Sequence, residues 1–109
     1  MPQTHKVLGQ SNPAATTLVS LYVAPSATQA IVSTITVCNT AATATTYRIA
    51  VRPAGASIAT SQYLVYDAPL PASDTVTLTL GVTLAATDVV SVYAGSASVA
   101  FSAFGVEIS

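Results

Sequence analysis

The stretch Thr46-Tyr47-Arg48-Ile49-Ala50-Val51-Arg52 decides the fold class. Read in steps of two, it puts Tyr47, Ile49 and Val51 on one side of an extended chain and Arg48 and Arg52 on the other. That is the pattern of a pleated strand with one face buried. The apolar recurrence at three and four residues that a helix needs is missing. Thr and Val, stiff at χ1, are frequent throughout, and the alanines at 41, 42 and 44 are interleaved with Thr.

The alternation returns in Thr75-Val76-Thr77-Leu78-Thr79-Leu80, with threonines on a face turned to solvent or a partner. Further strands are expected at Thr17 to Val23, Ala30 to Asn39, Gln62 to Tyr66, Val89 to Ala94 and Ser98 to Glu107, with a weaker one at Lys6 to Leu8. Between them stand turn signals at Ala24-Pro25-Ser26, Asn39-Thr40, Pro53-Ala54-Gly55, Pro69-Leu70-Pro71, Ser73-Asp74, Thr87-Asp88 and Ala94-Gly95-Ser96. Seven or eight strands at this spacing predict an all-β fold, an antiparallel β-sandwich or jelly roll. Ala72-Ser73-Asp74-Thr75-Val76 and Ala86-Thr87-Asp88-Val89-Val90 echo one another as a reused turn, too short for a repeat architecture. At 109 residues the chain has room for one domain. We divide it into an N-terminal arm or edge strand over 1–12 and a single sandwich over 13–109.

Only 6% of the residues are charged, against roughly 25% in an ordinary soluble domain. With 51% hydrophobic residues and a net charge of −1, copies of the chain have little to hold them apart, so its surface is expected to be covered in use. Lys6, Arg48 and Arg52 are the only cations, too few for the phosphate contacts of nucleic-acid binding. Apolar runs are short and interrupted, so no membrane span is expected. Cys38 is the single cysteine and cannot form an intramolecular disulfide, and no apolar signal segment follows Met1 to Lys6. Manufacture and use without secretion are expected.

No catalytic, metal or cofactor constellation emerges. His5 is the only histidine and sits in the N-terminal arm, so a Ser-His-Asp or Cys-His set would have to take its base from a mobile end, and none is built. The carboxylates are Asp67, Asp74, Asp88 and Glu107. Asp74 and Asp88 each follow a small hydroxyl residue and precede a strand, the place of a turn cap rather than of a hydrolase pair. Cys38 reads as a small buried apolar residue. Interface candidates are Arg48, Arg52, Tyr66 and Tyr93. The two arginines lie on one strand face about 13 Å apart, free to dock another subunit or to pair internally with Asp67, Asp74 or Glu107. Tyr66 and Tyr93 fall on the opposite parity to their apolar neighbours, and tyrosine brings apolar area with a polar tip. A Tyr63/Tyr66/Asp67 cluster is the alternative as a sugar site.

The run from Asn39 to Gly55, the run Asp74 to Leu84, the start Lys6-Val7-Leu8-Gly9-Gln10 and the end Phe104-Gly105-Val106-Glu107-Ile108 together resemble small β-sandwich virion proteins of tailed bacteriophages. The resemblance spans nearly the whole chain and rests on strand-and-turn signatures. It implies a non-enzymatic structural role in the virion, assembled in the host cytoplasm. The role is either a capsid decoration (cement) protein or a tail, baseplate or fibre component. Cement proteins of this kind sit as homotrimers and bridge neighbouring major capsid proteins. No functional residue carries over, and no cofactor is implied.

Overall fold

The computed structural model describes residues 3–109 and is all-β. Eight strands follow in order: β1 Gln3–Ser11, β2 Val19–Val23, β3 Gln29–Asn39, β4 Thr45–Arg52, β5 Tyr63–Leu70, β6 Thr75–Leu84, β7 Val89–Ala94 and β8 Val99–Ile108. They form two four-stranded sheets, β1-β8-β3-β6 and β2-β7-β4-β5. The antiparallel pairs β1·β8, β2·β7, β3·β6 and β4·β5 are the rungs of one long hairpin rolled over itself, closed by β3·β8 and β4·β7. This is jelly-roll connectivity within a β-sandwich.

Alternation builds the core. From the first sheet come Val32, Ile35, Val37, Val99 and Phe101, and from the second Tyr47, Ile49, Leu70, Val90 and Val92, all buried. Each large aliphatic or aromatic group contributes about 1.5–3 kcal/mol by leaving water. Tyr47 and Phe101 meet edge to face across the sandwich at 6.5 Å.

A line of irregularity crosses the β1-β8-β3-β6 sheet. Register slips at Leu8 in β1, at Ser33 in β3 and at Leu80-Gly81 in β6, each an extra residue that bends its strand. Gly105 makes the bend possible, because a Cβ there would stand 2.0 Å from the Ile31 carbonyl oxygen.

Three sequence expectations change. Pro69 and Leu70 belong to β5, not to a turn, and the chain reverses at Ala72-Ser73. A proline is tolerated there because β5 is a sheet edge. β6 continues four residues past Leu80, carried through its bulge by Gly81 at φ +62. Of the two readings of the N-terminal segment, arm or edge strand, the residues described form the edge strand: Gln3–Ser11 pair with β8 of the same chain, extending the short strand expected at Lys6 to Leu8. Met1 and Pro2 of that segment lie outside the described residues. The remaining local structure is two short 3-10 turns, Pro53–Gly55 and Thr60–Gln62, in the β4–β5 connection.

Candidate functional site

The outer face of the β2-β7-β4-β5 sheet carries an arginine held between two tyrosines. The Arg48 guanidinium carbon lies 4.2 Å from the Tyr66 ring centre and 4.1 Å from that of Tyr93, within the range where a ring quadrupole attracts a cation. Arg48 Nε donates to Asp67 Oδ1 at 2.6 Å, and Nη2 donates to Oδ2 at 3.2 Å. Tyr63 meets Tyr66 edge to face at 4.9 Å. Two-point pairing with Asp67 raises the Arg48 pKa, and the same hydrogen bonds hold the Asp67 carboxyl below its ordinary range.

Local backbone explains the grouping. In the β4·β5 ladder Tyr47 faces Ala68 and Ile49 faces Val65, so Tyr66 and Asp67 both stand opposite Arg48. This bulge puts Asp67 in the left-handed region at φ +50, which aspartate tolerates better than most residues. It also restores the alternation, so that Val65 and Ala68 both pack on the core. Tyr66 is left 59% exposed and its neighbour Leu64 48% exposed.

Arg52 takes another path. Its Nε donates to Ser91 Oγ at 2.9 Å and its Nη1 to the Ala56 carbonyl at 3.2 Å, under the 53–62 connection. That connection leans over the sheet, and Ala50 and Ser91 are completely buried on its outer side. Of the four interface candidates, the fold therefore brings Arg48, Tyr66 and Tyr93 together, and the sequence alternative of an Arg48–Asp67 pair is the one realised.

The other acidic residues serve the backbone or the sandwich. Asp88 accepts from the Ala54 and Ala85 N–H groups, and Asp74 from Thr75 N–H. Glu107 pairs with neither arginine. It accepts the Tyr22 hydroxyl at 2.6 Å and the Lys6 ammonium at 2.9 Å, tying the two sheets together. His5 lies in β1 opposite Val106, and Cys38 is half-buried on an outer face rather than in the core.

Sequence reading missed Asn39. It continues the inward parity of Ile35 and Val37 and is 1% exposed. Its amide donates to the Thr43 and Pro71 carbonyls, and its Oδ1 accepts from Ala41 N–H and Ser98 Oγ. The signal was present in that parity: an amide at the inward end of a strand has to find partners there.

The outer face of the β1-β8-β3-β6 sheet is chemically different. Ladder registers align His5, Val106, Ile31 and Thr83 in one rung, then Val7, Phe104, Thr34 and Thr79, then Gln10, Ser102, Thr36 and Thr77, and then Ala100, Cys38 and Thr75. Not one of these side chains is a carboxylate, ammonium or guanidinium. Two shallow depressions mark the face, one lined by His5, Ile31, Ser33, Phe104, Val106 and Lys6, whose ammonium is held by Glu107, and one by Gln10, Asn12, Ala100 and Ser102.

The chain matches no known family model, no curated protein and no solved structure.

Proposed function

We propose that the chain is a structural protein of a bacteriophage virion. In this reading it is a capsid decoration (cement) protein that oligomerises, as a homotrimer, and stabilises the head by bridging major capsid proteins. The observation that carries the reading is the uncharged outer face of the β1-β8-β3-β6 sheet. Exposed sheets normally carry charge that keeps copies and partners apart, whereas this one offers hydroxyls, aliphatics and Phe104. Four strands about 4.8 Å apart and about 30 Å long give a face near 600 Å². That is somewhat less than the roughly 800 Å² per partner of a standard interface. It suits a subunit whose weak contacts are multiplied by a repeating shell. The sequence resemblance to phage virion proteins points the same way, and double-sheet jelly rolls recur in capsid and lectin domains, a fold-level analogy.

The role is passive and non-enzymatic: apolar and hydroxyl surface is buried against neighbours, so loss of the shell requires many contacts to break together. The test is co-sedimentation of purified protein with capsids that lack it, alongside its mass by light scattering. A trimer that pellets with shells is expected, and Thr36→Lys, a charge at the middle of the face, is expected to leave it in the supernatant. Wild-type protein that stays in the supernatant overturns the proposal.

The Tyr63/Tyr66/Asp67/Arg48/Tyr93 group, exposed at Tyr66 and Asp67, favours one second reading, a tail, baseplate or fibre component that binds a carbohydrate receptor. Binding on a glycan array that Tyr66→Ala abolishes is the outcome that supports it. No binding to any glycan removes it.

A further inference from the structure

Each sheet ends in two strands whose outward N–H and C=O groups lack ladder partners. Such edges take up extended chains unless something blunts them. Three of the four are blunted here. β2 has five residues and a register shift. β5 carries two register shifts, Pro69 and the left-handed Asp67. β1 carries Lys6 and the bulge at Leu8. β6 also has a bulge, at Leu80-Gly81, but its ten residues include no charge and no proline. Its first five hold an unbroken register against Thr34 to Cys38 of β3. Among the described residues, no loop backbone group bonds to residues 76–84.

We propose that the β6 edge is a self-pairing site, to which a second copy of this chain adds its own β6, antiparallel, about a two-fold axis at Thr77. That axis sets Thr77 opposite its own copy, Thr75 opposite Thr79, and Val76 opposite Leu78. Threonine meets threonine on the outer side, a favourable cross-strand pairing. On the inner side Val76 and Leu78, half-buried at the rim of the core, are covered by their counterparts. Neutrality selects the occupant. In an isologous contact a charge near the axis faces its own sign across the ladder, and β6 has none, whereas a foreign strand imposes no such requirement. The junction also joins two such sheets, with their outer faces free of charged side chains, into one of eight strands.

Pairing through β6 doubles whatever unit the other surfaces build, a monomer to a dimer or a trimer to a hexamer. It does not depend on the shell-binding proposal, and its test contains no shells, so either can fail alone. Five rungs make a small junction, so association is read by sedimentation across a concentration series. The weight-average mass of wild type is expected to rise to twice that of Thr77→Lys or Thr77→Glu. Thr77 is exposed, and circular dichroism checks that both variants stay folded. An equimolar mixture of the two is expected to regain the doubled mass at low salt, because Lys then faces Glu, and to lose it at high salt. Thr77→Cys in a Cys38→Ser background is expected to form a disulfide-linked dimer on mild oxidation, and Thr83→Cys is not. Equal masses for wild type and folded variants at every concentration overturn the proposal. So does a mixture that restores nothing, or equal crosslinking at 77 and 83.

Discussion

The outer faces of the two sheets start from the same two-residue alternation and end as opposites. On the β2-β7-β4-β5 sheet the outward positions hold Arg48, Ala50, Arg52, Ser91 and Tyr93, and the chain answers them itself. Asp67 neutralises Arg48, the tyrosines flank it, and the 53–62 connection covers Arg52 and its neighbours. On the β1-β8-β3-β6 sheet the outward positions are mostly Thr, Ser, Ala, Val, Ile and Phe, with His5, Gln10 and Cys38 among them, and among the described residues no connection lies over them. The lesson is that an exposed-looking strand face can be completed within the molecule or left for another one. Charge decides which: a buried or half-buried guanidinium must be answered locally, while hydroxyls and methyls can wait for a partner.

The largest expected effect separates the faces by packing. Ala50→Leu inserts bulk beneath the 53–62 connection and is expected to cost about 2–3 kcal/mol by overpacking. Thr36→Leu, the matching central position on the other face, is expected to shift stability by less than about 0.5 kcal/mol. Urea midpoints of the two variants measure the difference, and equal costs break the comparison.

Next in size is Arg52→Met. It preserves much of the stem but leaves the fully buried Ser91 hydroxyl without its donor, at an expected cost of about 1–2 kcal/mol. Ser91→Ala in the same background is expected to recover part of that loss, which a double-mutant cycle reads directly.

How much of this was legible follows from what alternation can and cannot carry. It located all eight strands, because half-buried pleats write themselves as period two, and it put Arg48, Tyr66 and Tyr93 on outer faces. Their convergence was hidden, because it depends on Tyr66 and Asp67 sharing one partner position, a register fact with no local signature. The bend at Gly105 was hidden for the same reason. The turns were half legible. Ser73-Asp74 and Thr87-Asp88 read as caps, and Asp74 and Asp88 do cap. Nothing in the sequence announced that Ser73 and Thr87 adopt φ +54 and +68, a conformation uncommon for any residue but glycine and resisted most by β-branched ones such as Thr87. The Thr87 N–H bonds the Ala24 carbonyl at 2.9 Å, a contact glycine retains. Thr87→Gly is therefore expected to stabilise the fold by about 1 kcal/mol, read as a raised melting temperature. Because this turn leads from one sheet to the other, the gain should appear with or without changes on either face.

The smallest effect lies where the two faces cease to be independent. Tyr22 of one sheet donates to Glu107 of the other, and Lys6 completes the group. The Tyr22 hydrogen bond, then that of Lys6, hold the Glu107 carboxyl below its ordinary range. Burial first, then Glu107, push the Tyr22 phenol upward. For Glu107, whose folded pKa is the lower one, the stabilisation is full above about pH 4.3, the ordinary glutamate value, and drains away as pH falls toward the folded value. For Tyr22, whose folded pKa is the higher one, stability is full below about pH 10 and declines as pH rises past it, where the unfolded phenol ionises and the folded one does not. Glu107→Gln is expected to cost about 0.5 kcal/mol at neutral pH and to flatten the acid limb of the stability curve. It leaves the share that comes from Asp67, whose carboxyl is lowered by Arg48 on the other face. Tyr22→Phe should flatten the acid limb less, since Lys6 still faces Glu107, and should remove part of the alkaline limb. Denaturant titrations from pH 3 to 10.5 separate the two. An acid limb unchanged in Glu107→Gln assigns the whole acid dependence to the Arg48 face and dissolves the tie between the sheets.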